Sequence, residues 1–359
     1  MIAVFFGGRS CEHDISIITG LQAMSACKSK CVGVYIDCDG VWWAAECFDS
    51  VNAVRNNKFD GKKVHLRPAD NHLYCKNKKL YKVDAALLCM HGMLGEDGTL
   101  QGLLEMCGIP YTGSAVAPSA IGMNKILSKK AFADAGLKIL PYVTATHAQY
   151  NEASDDVINN IGSLGYPVIV KPCNLGSSIG ISVAGDKAAL ITALSVAFEW
   201  DDTVIIEKAL TDFVEVNCAV LGDSYDKELI VSDTEQPVGW KTFLTFADKY
   251  AGDVKSVRHK IPAEIGAQKN ELVQELAEKA FRAVGCSGVA RIDFIVSGED
   301  VYINEINTIP GSLGYPLFAK QMPFSKLIDK MIACAHARKQ RFDVLKRTYT
   351  PTIPIVGKK

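Results

Sequence analysis

Over the first third of the chain, short apolar runs alternate with glycine turns and amphipathic stretches. IAVFFGG is an apolar run that ends in glycines, and a helix is expected after it over roughly Asp14 to Ala26, with Ser10 as its cap. CVGVYID is a second strand. VDAALLCMHG is a buried strand that ends at His91 and Gly92. GEDGTLQGLLEMCG starts on glycine and continues as a short amphipathic helix, stopped by Gly108 and Pro110. Between these runs, DGVWWAAE to NKKLYKV alternates loosely and is rich in Asn, Asp and Lys, so residues 38–82 read as a hairpin or insertion. This order predicts an open α/β sheet with loops at the carboxyl ends of its strands.

The pattern changes near Ser119. IGMNKILSKKAFADAG predicts one helix ended by Gly136, and LPYVTAT a strand. A helix around Ala153 to Ser163 is followed by YPVIVK, a glycine turn, GISVAG, a helix over Lys187–Phe198 and the strand TVIIEKAL. A third portion starts near Val214. EVNCAVLG is a strand, ELVQELAEKAFRAVG a helix with apolar residues at helical spacing, and ARIDFIV and VYINEIN are strands. Three domains are expected, over residues 1–118, 119–213 and 214–359, with the tail KRTYTPTIPIVGKK peripheral.

Composition narrows the class. The 359 residues are 48% hydrophobic and 22% charged, enough for full cores. A net charge of -1 and no basic stripe or polybasic tail argue against nucleic-acid and membrane partners. MIAVFFGG lacks a cationic n-region, and no apolar run approaches the roughly 18 residues of a membrane span, so a cytoplasmic location is expected. The 12 cysteines are scattered and read as reduced thiols. Cys27 and Cys31 could share a helix face, but no second pair at zinc-ligand spacing accompanies them.

Two stretches carry candidate chemistry. In KPCNLGSSIG, Lys171 stands at the mouth of a buried strand, followed by Gly176, Ser177, Ser178 and Gly180. Glycine turns aim N–H groups at anions, so the stretch suits phosphate; an ordinary hairpin is the alternative. In ARIDFIVSGEDVYINEINTIPG, Asp293 lies in one strand, and Glu305 and Asn307 lie two apart on one side of the next, with Arg291 on the Asp293 side. Carboxylates in apolar strands are costly unless paired or metal-bound, and three oxygen donors on adjacent strands suit Mg²⁺. A half-exposed hairpin with a polar face is the other reading. Lys125 offers a second cation, and Glu207 and Lys208 end a strand where backbone groups can read an adenine edge. No G-x-x-x-x-G-K-[ST] occurs, and GGRS lacks the full G-x-G-x-x-G.

Together, GGRSCEHDIS, HGMLGEDGTLQGLLEMCGIPYTGS, MNKILSK, YPVIVKPCNLGSSIGIS, ARIDFIV and NEINTIPG resemble the D-alanine–D-alanine ligases of the ATP-grasp superfamily. The resemblance implies an α/β (α+β) fold: an N-terminal open parallel α/β domain followed by two α+β domains that clasp ATP. It implies ATP and two Mg²⁺ (or Mn²⁺) ions as cofactors, D-alanine as substrate, a homodimer, and a role in peptidoglycan precursor synthesis. KPCNLGSSIG resembles the lid over the ATP phosphates. Lys125 and Lys171 match lysines on those phosphates, with Ser178 beside them and Lys249 also on the ATP side. Glu207, Lys208 and Leu210 match residues framing adenine, and Glu215 the carboxylate on the ribose. Asp293, Glu305 and Asn307 match the metal ligands. Glu12 matches the residue holding the first substrate's ammonium, near His91, in a triad with Ser177 and Tyr250. Arg291 and the backbone at Gly311 match the donors to the tetrahedral intermediate. Where the family continues through a longer loop, this chain has SLGYPLF, so Ser312 and Leu313 stand in as holders of the second substrate's carboxylate. The segment around Lys249 and Tyr250 also departs from the usual loop. Rival readings are a D-alanine–D-serine or D-lactate ligase of the same fold, and a nucleotide-binding regulatory protein that has lost catalysis.

Overall fold

The computed structural model describes residues 1–238, 258–346 and 348–349. The first sheet is parallel at its centre and antiparallel at one edge. Strand β1 (Ile2–Gly7) lies between β2 (Cys31–Ile36) and β8 (Ala85–Leu88), parallel to both, with β3 (Trp42–Ala45) and β4 (Lys62–Lys63) added antiparallel outside β2. All six residues of β1 are buried, as the unbroken apolar run requires of a central parallel strand. Helix α1 (His13–Ala26) packs on it. Gly20 makes that approach possible, because a Cβ there would lie 2.4 Å from the Phe6 ring. Buried Ser16 ties the ends of three elements: it accepts from Gly7 N–H and donates to the Cys89 carbonyl, both at 2.8 Å.

The stretch read as one hairpin or insertion is divided. Its start completes the first sheet as β3 and β4, around the short helix α2 (Val51–Arg55). The rest forms a separate three-stranded sheet, β5 (His65–Arg67), β6 (Asp70–Cys75) and β7 (Lys78–Lys82). Helix α3 (Thr99–Met106) follows β8. The expected single helix after Ser119 is two, α4 (Val116–Met123) and α5 (Lys125–Asp134). The break is Asn124, whose backbone is extended and whose side chain accepts from Ile126 and Leu127 N–H. Asparagine is a strong N-cap, so it starts a new helix and makes Lys125 its first residue. Ser10 is likewise not the cap of α1. Glu12 holds that position, while the Ser10 hydroxyl accepts from Glu12 N–H and donates to the His91 carbonyl.

A four-stranded antiparallel sheet comprises β9 (Tyr142–Thr146), β10 (Val168–Pro172), β11 (Ser182–Ala184) and β12 (Thr203–Lys208), in the order β11-β10-β12-β9. Helices α6 (His147–Glu152), α7 (Ser154–Gly162) and α8 (Lys187–Phe198) accompany it. A five-stranded antiparallel sheet has the order β15-β14-β13-β16-β17, from β13 (Val214–Asp223), β14 (Ile230–Val238), β15 (Arg258–Lys260), β16 (Ser287–Ser297) and β17 (Asp300–Asn307). Alternation along β16 decides which side chains reach the site. Ala290, Ile292, Phe294 and Val296 join a core with Phe281 of α9 (Ala267–Val284), which puts Arg291 and Asp293 on the opposite face. Helices α10 (Tyr315–Phe318) and α11 (Phe324–Asp343) close the described chain, and α11 packs on β16 and β13. All twelve cysteines are free thiols. Cys27 caps α1 and Cys31 opens β2, so the two do not share a helix face. Among the described residues no helix is long and apolar enough to cross a membrane.

Candidate active site

Lys171, on β10, meets a buried cluster that the sequence reading saw only in part. Its Nζ lies 2.6 Å from Glu207 Oε2 and 3.1 Å from Asn304 Oδ1; Lys129 Nζ lies 2.6 Å from Glu207 Oε1. Glu207 has no exposed surface. Burial alone would raise its pKa, but Lys129 and then Lys171 more than offset that and hold it at about 2. Lys129 was missed, although it lies one helical turn beyond Lys125 on α5, a spacing that shares a face. The carboxylate of Glu207 is thus turned to two lysines. The ammonium of Lys208 is spent inside the protein, donating to the Gly165 and Tyr166 carbonyls at 2.9 and 3.0 Å. Glu207 and Lys208 are the last two residues of β12, and half-buried Leu210 follows it.

Lys125 tethers the glycine stretch. Its Nζ donates to the Leu175 carbonyl, and its N–H donates to Cys173 at 3.0 Å. Asn124 and Asp201 brace Asn174 from either side. Ser177 and Ser178 both have left-handed backbones, φ 52° and 58°, a conformation that costs about 1–2 kcal/mol per residue without glycine. The Ser177 hydroxyl donates to the Glu12 carboxylate. That carboxylate is wedged between two glycines: a Cβ at Gly92 or at Gly176 would lie 2.8 Å from Glu12 Oε2. Tyr250, the expected third member of this triad, and Lys249 lie outside the described residues.

His91 is buried, and both ring nitrogens are engaged by the protein: Nδ1 with the Ile309 carbonyl and Nε2 with Thr19 Oγ1, each at 2.8 Å. Burial holds its pKa below the ordinary value. Glu96, unremarked in the sequence, accepts from Ile309 N–H at 2.9 Å and Gly92 N–H at 3.3 Å; burial, then the Glu12 charge, pushes its pKa up to about 7. Beyond Ile309 the chain makes a turn over Gly311–Gly314. Nothing crowds the position a Cβ would take at Gly311. The Leu313 side chain is fully buried in the core and its N–H donates to the Pro310 carbonyl at 2.8 Å. The half-exposed Ser312 hydroxyl is the polar side-chain group this pair offers.

The β16–β17 hairpin gathers the remaining residues. Asp293 pairs with Glu305 in register, and Arg291 with Asn307. Arg291 grips Asp293 with Nε and Nη2 at 2.6 and 2.7 Å, and Asn307 Nδ2 donates to Asp293 at 3.1 Å. Asn217 faces Asp293 from β13 and donates to Glu235, which also pairs with His259 Nδ1 at 3.0 Å. One cleft is lined by Lys125, Lys171, Gly176, Ser177, Ser178, Glu215, Asn217, Asp293, Asn304 and Glu305. Three stretches far apart in sequence thus meet: cations and backbone on one wall, carboxylates on the other. That arrangement suits a polyanion accompanied by cations. Among the described residues no group of three or more His, Cys, Asp or Glu is gathered for a metal; the hairpin set is two carboxylates and a carboxamide.

Comparison with known proteins agrees over both halves of the chain. The family described as D-ala D-ala ligase N-terminus matches residues 1–114, and D-ala D-ala ligase C-terminus matches residues 131–333. The D-alanine--D-alanine ligase of Thermosipho africanus is 35% identical over 346 residues, 93% of this chain and 92% of that one. The solved D-alanine-D-alanine ligase of Coxiella burnetii superposes with a TM-score of 0.81 at 26% identity, covering 95% of each chain. The VanG D-Ala:D-Ser ligase of Enterococcus faecalis gives 0.79 at 31%, covering 93% of this chain and 98% of that one. With both family halves matched in order around one cleft, the chain belongs to the D-alanine–D-alanine ligase family.

Proposed function

We propose that this chain joins two D-alanine molecules to D-alanyl-D-alanine with hydrolysis of ATP to ADP and phosphate, for peptidoglycan precursor synthesis. The observation that carries the reading is the single cleft in which Lys125, Lys171 and the Gly176–Ser178 turn face Asp293 and Glu305. A carboxylate is a poor electrophile, so the γ-phosphoryl of ATP is first transferred onto one D-alanine to give an acyl phosphate. Lys125 and Lys171 offset charge on the transferring phosphoryl. Glu207 and Asn304 hold the Lys171 ammonium at the cleft before ATP binds. Glu215 takes the ribose, and the backbone at Glu207, Lys208 and Leu210 the adenine.

The donor set fits Mg²⁺ or Mn²⁺. All three groups are hard oxygen ligands on one hairpin face, and because Asn307 Nδ2 is donated to Asp293, its Oδ1 remains to accept. Bound by Asp293, Glu305 and Asn307, such ions would neutralise phosphate charge. Glu12, oriented by Ser177, holds the ammonium of the first D-alanine, with Tyr250 as the expected third partner. The amine of the second D-alanine attacks the acyl carbonyl, phosphate leaves, and Arg291 with Gly311 N–H stabilises the oxyanion. The KPCNLGSSIG lid keeps water from the acyl phosphate. We place the enzyme in the cytoplasm as a homodimer.

The test is ATP-dependent phosphate release by the full chain with Mg²⁺. Release that requires D-alanine and yields the dipeptide supports the reading. Tight ATP binding without release would point to the regulatory alternative.

A further inference from the structure

Three buried side chains near α1 and β8 hold the turn that carries Gly311 and Ser312. Glu96 accepts from Ile309 N–H at 2.9 Å, His91 Nδ1 donates to the Ile309 carbonyl at 2.8 Å, and Thr19 Oγ1 accepts from Ser312 N–H at 3.1 Å. Thr19 has no exposed surface and His91 only 4%. The proton positions follow from valence. A carbonyl only accepts, so His91 carries its proton on Nδ1. In the neutral ring Nε2 is then an acceptor, and the Thr19 hydroxyl, 2.8 Å away, gives its one proton there. The lone pairs of Oγ1 are left for Ser312 N–H. A hydroxyl can donate one way and accept the other in this volume; an isosteric valine can do neither.

The turn needs such a hold. Ser312 and Leu313 sit at φ 49° and 53°, a left-handed pair without glycine. We propose that Thr19 is a positioning residue for the second amino acid: its relay from His91 to Ser312 N–H sets where the Gly311–Ser312 turn meets the incoming substrate, and so how strictly that substrate is selected. The inference rests on the ligase reading and adds to it a determinant on α1.

The experiment compares Thr19→Val with Thr19→Ser, which keeps the hydroxyl. Thr19→Cys, a weaker donor and acceptor, serves should the valine variant not fold. Each full-length enzyme receives ATP, Mg²⁺ and equal D-alanine and D-serine, and mass spectrometry reads the ratio of D-Ala-D-Ser to D-Ala-D-Ala. Loss of folded enzyme lowers both products together and leaves the ratio alone; a displaced turn changes it. The expected shift is about tenfold for valine, about threefold for cysteine and under about twofold for serine. KM for ATP should stay within about twofold throughout. An unchanged ratio in the valine or cysteine variant would overturn the proposal, as would a serine variant that shifts as far as valine. A wild-type enzyme that makes neither product would instead overturn the ligase reading, before any variant is measured.

Discussion

Two charge clusters face one another across the cleft, and they are built differently. Around Glu207 the carboxylate is fully buried, Lys129 is 2% exposed, and both lysines lie 2.6 Å from their partner. On the β16–β17 hairpin the carboxylates are partly open, and Arg291 grips Asp293. The first cluster is nearly satisfied before any ligand arrives. Breaking it leaves a buried charge, so its residues bear on stability. The second presents oxygen donors to the cleft, and on the proposed reading its residues bear on catalysis. Lys171 belongs to both, because it answers Glu207 on one side and lines the cleft on the other.

The contrast is sharpest at Glu305. Glu305→Ala should lower turnover by about a thousandfold or more, by loss of a proposed metal bridge. The same change should barely move the unfolding free energy, and near-normal activity of the folded variant at ordinary Mg²⁺ would remove the metal assignment. Lys129→Met should do the reverse. Leaving Glu207 with one lysine should cost about 3–5 kcal/mol of stability, read by urea unfolding. A loss under about 1 kcal/mol would show that the buried cluster is not what holds this region.

Acid supplies a second reading of the same cluster. The folded pKa of Glu207, about 2, lies below the ordinary carboxylate value. Its contribution to stability is therefore complete above that ordinary value and is lost as pH falls through about 2. In Lys129→Met the loss should begin at higher pH; identical acid titrations would contradict the pairing.

Lys171→Ala should raise KM for ATP and lower kcat, by more than Lys208→Ala, whose ammonium serves the Gly165 and Tyr166 carbonyls. The opposite order in matched kinetics would mean that the phosphate wall is misplaced. The smallest effect is expected at Gly176. A methyl there meets the Glu12 carboxylate at 2.8 Å, and Gly176→Ala should raise KM for the first D-alanine by about tenfold while leaving KM for ATP alone. Equal rises in both would assign Gly176 to the phosphates instead.

The sequence made the hairpin legible because its signal is local: Asp293, Glu305 and Asn307 interrupt apolar strands at a period that puts them on one side. The Gly176–Ser178 turn was legible for the same reason. The Glu207 cluster was not, since a buried carboxylate is understood only when its partners on other elements are known. Thr19 was hidden because a buried polar residue in an apolar helix looks like packing until His91 and the Ser312 N–H are seen beside it. The break at Asn124 had a signal, an asparagine ahead of Lys125, but the helical period continues across it and masks the cap. The burial of Leu313 was not legible either, since its left-handed backbone, which turns its side chain into the core, is a property of the folded turn.

Product identity tests the central claim most directly. The full-length enzyme, with ATP and Mg²⁺ at pH 7, is offered equal D-alanine, D-serine and D-lactate, and the products are resolved by mass spectrometry. On the proposed reading Tyr250 is the triad residue, and a phenol is neutral at this pH. It therefore does not repel an ammonium or favour an anionic hydroxy acid. The account predicts D-alanyl-D-alanine as the main product, with little ester. A dominant ester, or no ATP-dependent product at all, would contradict it.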